Sequence, residues 1–103
     1  MNAENYDDSY KGKINLHELD VLEKGLSERG IKFERYSFLG GDQIYVFDDK
    51  GEYFFDAICN RYSLGHHKGL LEIMGSLVKN EDAREVEGYL SAEEILRRID
   101  GQK

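Results

Sequence analysis

The spacing of apolar residues changes at Gly30, and that change limits the fold more tightly than any other feature of the sequence. Before it, Leu16, Leu19, Leu22 and Leu26 recur every three or four residues, with Glu18, Asp20, Glu23 and Lys24 mostly on the other side. That is the one-sided pattern of an amphipathic helix. Asn15 is placed to cap its first turn, Glu18 stands at capping-box distance, and Gly30 falls where a helix ends in a left-handed residue. After it the period drops to two. Over 31–38, Ile31, Phe33 and Arg35 alternate with Lys32, Glu34 and Tyr36; 43–47 is β-branched and aromatic; over 52–59, Tyr53, Phe55 and Ala57 oppose Phe54, Asp56 and Ile58. Gly40-Gly41-Asp42 and Asp48-Asp49-Lys50-Gly51 supply the turns. The segments predict an antiparallel meander.

Downstream, residues 60–69 form a glycine-punctuated loop. The dense apolar run over 70–78 predicts a short buried helix, and 80–87 an acidic loop from which 86–90 cross to a last helix. Ser91 is a strong N-cap for that helix, with Glu94 in the reciprocal position and Ala92, Ile95, Leu96 and Ile99 as its apolar stripe. The expected fold is therefore α+β: a three-stranded antiparallel β-meander packed with three helices in the order αβββαα. Residues 14–103 are read as a single domain behind a flexible N-terminal arm, 1–13, which carries Tyr6 and Tyr10 without an apolar period. A chain of 103 residues is long enough to bury a core without metal or disulfide staples. One cysteine, Cys59, rules out an internal disulfide and a thiolate-built zinc site, and no metal or cofactor is expected. With no run of membrane-spanning length and a polar start, the expected location is the cytoplasm.

The formal net charge is −7, and Arg97-Arg98 is the only adjacent basic pair, so direct binding to nucleic acid lacks the clustered cations it needs. An acidic surface favours basic partners, including proteins that themselves hold nucleic acid; it also serves solubility alone. Two acidic clusters stand out. Asp42, Asp48, Asp49, Glu52 and Asp56 face only Lys50 around the second turn, and Glu81, Asp82, Glu85, Glu87, Glu93 and Glu94 face only Arg84. Either cluster could present carboxylates as a nucleic-acid backbone presents phosphates. The blander reading is solvated turn acids and, for Glu93 and Glu94, charges that favour a helix N-terminus. Tyr45 and Tyr53 lie near the hairpin acids and would add desolvated contact area.

Other constellations are weaker. Asp48, Asp49 and Gly51 lack the ligand alternation and closing glutamate of a calcium loop. His66 and His67 are adjacent, a poor spacing for chelation, and nothing around Cys59 resembles a catalytic turn; a buried structural thiol is the better reading. The loop 65–69, with Arg61 and Lys68, precedes the predicted helix and could hold an anion there, though it lacks the lysine-threonine signature of a P-loop. No nucleophile, base and orienting group assemble from these residues, so no enzymatic activity is expected.

The stretches Tyr45-Val-Phe-Asp-Asp-Lys-Gly51, Phe55-Asp-Ala-Ile-Cys59, Gly69-Leu-Leu-Glu-Ile-Met-Gly75 and Val86-Glu-Gly-Tyr-Leu-Ser-Ala-Glu-Glu94 give the chain a general pattern over most of residues 15–99. In that pattern it resembles the short acidic uncharacterised proteins of Gram-positive phages and prophages, an anti-defence, anti-CRISPR-like class. The resemblance transfers no catalytic residue. It implies a non-enzymatic inhibitor that binds a basic surface of a host nucleic-acid-binding protein, a CRISPR effector of the Cas9 type among the candidates. The residues expected to carry that contact are Asp48, Asp49, Glu52, Asp56, Tyr45 and Tyr53, with Glu81, Asp82, Glu85 and Glu87 as a second acidic surface. The alternative expectation is a small adaptor that self-associates, as a homodimer, or binds a host factor through apolar surface over 70–78.

Overall fold

A computed structural model describes residues 14–79 and 86–102. Its elements in chain order are helix α1 (His17–Glu28), strands β1 (Phe33–Phe38), β2 (Gly41–Phe47) and β3 (Tyr53–Cys59), a 3-10 turn at His66–Lys68, strands β4 (Leu71–Gly75) and β5 (Val86–Leu90), and helix α2 (Ala92–Asp100). All five strands form one antiparallel sheet in the order β1-β2-β3-β4-β5. The fold is α+β with a five-stranded sheet and two helices, which overturns the three-stranded meander with three helices. The arm proposed for 1–13 lies outside the described residues.

Residues 70–78 account for the difference. Leu71 and Ile73 point into the core while Glu72 and Met74 point away, a period of two that the crowded apolar run conceals. Ile73 pairs with Ala57 and Met74 with Asp56, so β4 satisfies the hydrogen-bonding edge of β3 that three strands alone would leave open. Glycines punctuate both ends: Gly69 has φ 72° and Gly75 φ 113°. At Gly75 a Cβ would sit 2.8 Å from the Phe54 carbonyl oxygen, so only glycine lets the strands approach there. The segment expected to cross to the last helix, Val86–Leu90, is itself a strand, with Leu90 opposite Leu71 and Glu87 opposite Ile73. The register slips between those pairs, and Tyr89 takes φ 62°. That bulge breaks the alternation by which a strand is read from sequence.

Both helices lie on one face of the sheet. Leu19, Leu22 and Leu26 of α1 and Ala92, Ile95 and Ile99 of α2 bury against Ile44, Val46, Phe55, Ala57, Leu71 and Ile73. The helices run side by side in the same direction. At their starts Glu18 Oε1 accepts from the Ala92 N–H at 2.7 Å, and at their ends Arg29 forks onto both carboxylate oxygens of Asp100 at 2.8 Å. Glu18 thus caps α2 and not its own helix, while Asn15 Oδ1 accepts from the His17 N–H at 2.9 Å. Ser91 Oγ caps α2 by accepting from the Glu94 N–H at 3.1 Å. Arg35 reaches from β1 to Asp20 and Glu23 of α1 and to Asp42 of β2, at 2.9, 2.7 and 2.8 Å, and so pins the first helix to the sheet edge. No helix of the described residues is long and apolar enough to cross a membrane.

Candidate functional site

The face of the sheet turned away from the helices carries a row of tyrosines beside acidic side chains. Tyr45 of β2 stands opposite Glu34 of β1 on one side and Asp56 of β3 on the other. Tyr36, Tyr45 and Tyr53 form a row of edge-to-face contacts, with ring centroids 5.9 and 6.3 Å apart. The row depends on a β-bulge. Val46 pairs with Phe55 and Phe47 with Tyr53, so Phe54 is the extra residue, and Phe54 and Phe55 pack edge to face with each other at 5.3 Å. Phe54 joins the core beside Phe55, and Tyr53 is carried to the outer face. Simple alternation puts Tyr53 with Phe55 and Ala57; the bulge puts it with Tyr45 and Asp56.

Asp56 sits at the centre of this face and is only 5% exposed. The Tyr53 hydroxyl donates to Oδ1 at 2.5 Å, and Gln43 Nε2 donates to Oδ2 at 3.0 Å. Burial first, and the Asp56 hydrogen bond second, push the Tyr53 hydroxyl well above the ordinary tyrosine range, so it remains a donor at neutral pH. Tyr36 donates to Glu34, whose carboxylate raises the Tyr36 hydroxyl pKa in turn. Tyr36, Tyr53 and Met74 are 49%, 47% and 40% exposed. Tyr36, one of the tyrosines the sequence offers for an interface, joins this face, and so does Gln43, which the sequence reading does not pick out although it stands two residues before Tyr45 on the same strand.

The hairpin acids divide by role. Asp48 builds the turn: its Oδ1 accepts from the Lys50 and Glu52 N–H groups, both at 2.9 Å, and its backbone pairs with Glu52 and Gly51. Asp49 and Glu52 are exposed. With Asp48 they line one wall of an open groove of about 950 Å³ that also takes in Lys32, Lys50 and Phe54, so the hairpin tip carries both signs of charge. In the second cluster Glu81, Asp82 and Glu85 lie outside the described residues. Glu87 is held by Arg98 in a two-pronged pair at 2.8 and 2.9 Å, which keeps its carboxyl below the usual range. Arg98 also holds Glu94 at 2.8 Å, so Glu87 and Glu94 serve the join between β5 and α2.

The remaining candidates are absorbed by the fold. Cys59 is buried, its thiol pushed up to about 11 by desolvation. His66 is buried, with Nδ1 2.8 Å from the Ser63 carbonyl oxygen, and the loop 65–69 leads into β4, so the helix start expected to hold an anion is not there. The apolar surface proposed over 70–78 is largely interior: Leu71, Ile73 and Leu77 belong to the core. Among the described residues no group of three or more His, Cys, Asp and Glu is placed to hold a metal ion. Comparisons of the chain with family models, with curated proteins and with solved structures return no match.

Proposed function

We propose that this chain works by binding and not by catalysis, and that its partner is a protein with a basic, nucleic-acid-holding surface that docking would block. One observation supports the reading above all others: the row Tyr36–Tyr45–Tyr53 around the near-buried Asp56, on a sheet face that neither helix covers. Tyrosine brings large, rigid contact area with a polar tip, the composition of an interface centre. Glu34, Asp56 and Glu72 on the same face set a negative field that steers a cationic partner and excludes an anionic one. The likeness to small acidic phage proteins suggests a host defence protein as the partner, with the carboxylates standing in for phosphates.

The test is a titration of the labelled chain against a purified CRISPR effector of the Cas9 type, with and without its guide, at rising salt. Affinity should fall steeply with ionic strength, guide loading should compete, and a Tyr36→Ser/Tyr45→Ser double variant should bind at least tenfold more weakly with its circular dichroism unchanged. Salt-insensitive binding, or full affinity in that variant, discards the outer face as the docking surface.

A further inference from the structure

We infer that the open edge of strand β1 is a docking site for an extended, basic segment of a partner protein, which joins the sheet there as a further strand. The site lies beside the tyrosine face, and it stands whether or not that face docks a nucleic-acid-holding protein. Strand β1 ends the sheet on one side, so only one of its edges is paired. Phe38 and Gly41 flank the two-residue turn, and the Phe47 N–H donates to the Lys32 carbonyl at 3.0 Å. In an antiparallel ladder the residues that bond inward alternate along the strand. Those between them, Phe33, Arg35 and Ser37, therefore direct their N–H and C=O groups outward. Among the described residues none of these groups has a partner.

The two edges of the sheet are built differently. Proteins commonly blunt an edge strand with a bulge, a proline or a covering segment. Strand β5 carries such devices: its register slips, Tyr89 takes a positive φ, and a Cβ on Gly88 would lie 2.2 Å from that of Leu64. Strand β1 carries none. Its register runs unbroken from Phe33 to Phe38, no residue in it takes a positive φ, and the chain contains no proline. Tyr36 and Phe38 stand exposed on its outer face, where they would meet alternate side chains of an added strand.

Charge selects the occupant. On the helix side of β1, Arg35 is the cation for three carboxylates, Asp20, Glu23 and Asp42. Among the described residues no other lysine or arginine stands within ion-pair distance of them. The Asp20 and Glu23 side chains are 65% and 43% exposed, and each gives one carboxylate oxygen to Arg35. Glu34 adds a further negative charge on the outer side of the same strand. The excess at this edge is anionic and open to solvent. A second copy of this chain fits it badly. The register that pairs all the outward groups sets Arg35 opposite its own symmetry mate and brings the two carboxylate groups together. A strand with lysine or arginine on its helix-side face meets the excess instead.

The experiment uses the full ¹⁵N-labelled chain and three short peptides: one alternating lysine with valine, the same with glutamate for lysine, and the lysine peptide with every backbone nitrogen methylated. The lysine peptide should slow hydrogen exchange at the Phe33, Arg35 and Ser37 amides and bind more weakly as salt rises. Methylation keeps the charge, removes the strand's donors and should abolish binding. Ser37→Pro removes one outward N–H from an edge strand, where proline is tolerated, and should weaken the lysine peptide about fivefold. Asp20→Asn/Glu23→Gln should weaken it about threefold, because the carboxamides keep their contacts to Arg35 without the charge. Equal affinity for the glutamate peptide, equal affinity for the methylated one, or unchanged exchange at those three amides at saturation overturns the proposal. So does protection of the same amides in a chain that sediments as a dimer on its own, which gives the edge to a second copy. Should Ser37→Pro fail to fold, the methylated peptide and Asp20→Asn/Glu23→Gln decide.

Discussion

The Tyr53 hydroxyl reaches Asp56 Oδ1 at 2.5 Å along a single strand, a contact between positions three apart that regular alternation would send to opposite faces. The bulge at Phe54 makes it possible, and one irregularity thereby serves two surfaces, adding Phe54 to the core and Tyr53 to the outer face. Tyr53→Phe keeps the ring and removes one of the two side-chain donors to a near-buried carboxylate. It should destabilise the fold by about 1–2 kcal/mol, the usual result of leaving such an acceptor short of a partner. Chemical denaturation of the variant beside the parent protein measures it; an unchanged midpoint would show that solvent replaces the hydroxyl.

Glu87 and Arg98 give the fold a defined response to acid. The folded-state pKa of Glu87 is depressed, chiefly by its hydrogen bonds from Arg98. Its contribution is therefore fully present above the unfolded glutamate value, about 4.3, and is lost as pH falls from there through the folded value. Glu87→Gln should lower stability at neutral pH by about 2 kcal/mol, through loss of a charge-assisted pair. It should also flatten the decline below pH of about 4. Melting temperatures across an acid series for both proteins check the two effects together.

The Cys59 thiol should be silent in the native protein. It is buried, donates to the Asn15 carbonyl oxygen at 3.5 Å and has a pKa raised to about 11, so little thiolate forms at mildly alkaline pH. A disulfide reagent such as Ellman's should label it only after denaturation. Rapid labelling of the folded chain would place Cys59 at an accessible surface instead.

Strand β4 sends Ile73 and Met74 to opposite faces of the sheet. Ile73→Ala should cost about 2–4 kcal/mol, because Ile73 is almost fully buried between the sheet and the helices. Met74→Lys should stay within about 0.5 kcal/mol, since that side chain stands on the open face. Denaturant midpoints of the two variants measure the difference, and comparable losses in both would contradict the strand assignment.

Local patterning was enough wherever an element has regular geometry and its own end signals. Helix α1, the two hairpins of β1–β3 and the Ser91-capped α2 were legible because their periods and turn residues agree with the final structure, although Glu18, spaced to cap α1, caps α2 instead. Tyr45, Tyr53 and Asp56 could be picked out as a tyrosine-and-acid group. Their actual meeting could not, because the register slip that joins them adds one residue without changing the residue types. The other acids show the same limit from the opposite side. Asp48 looks like free charge but holds a turn, and Glu87 looks like free charge but finds Arg98 eleven residues away through the packing of α2 on β5.

By itself, then, the sequence determined the helix-to-strand change at Gly30, the antiparallel pairing of the first three strands, the final helix and the acidic character of the chain. Tertiary structure decided that residues 71–75 and 86–90 are strands, which faces the tyrosines occupy and which carboxylates are taken up by the fold. The physical reason is that side-chain period is a property of neighbours along the chain. The backbone hydrogen bonds at the edge of β3, the close approach at Gly75 and the ion pairs of Arg35 and Arg98 exist only once distant segments are side by side.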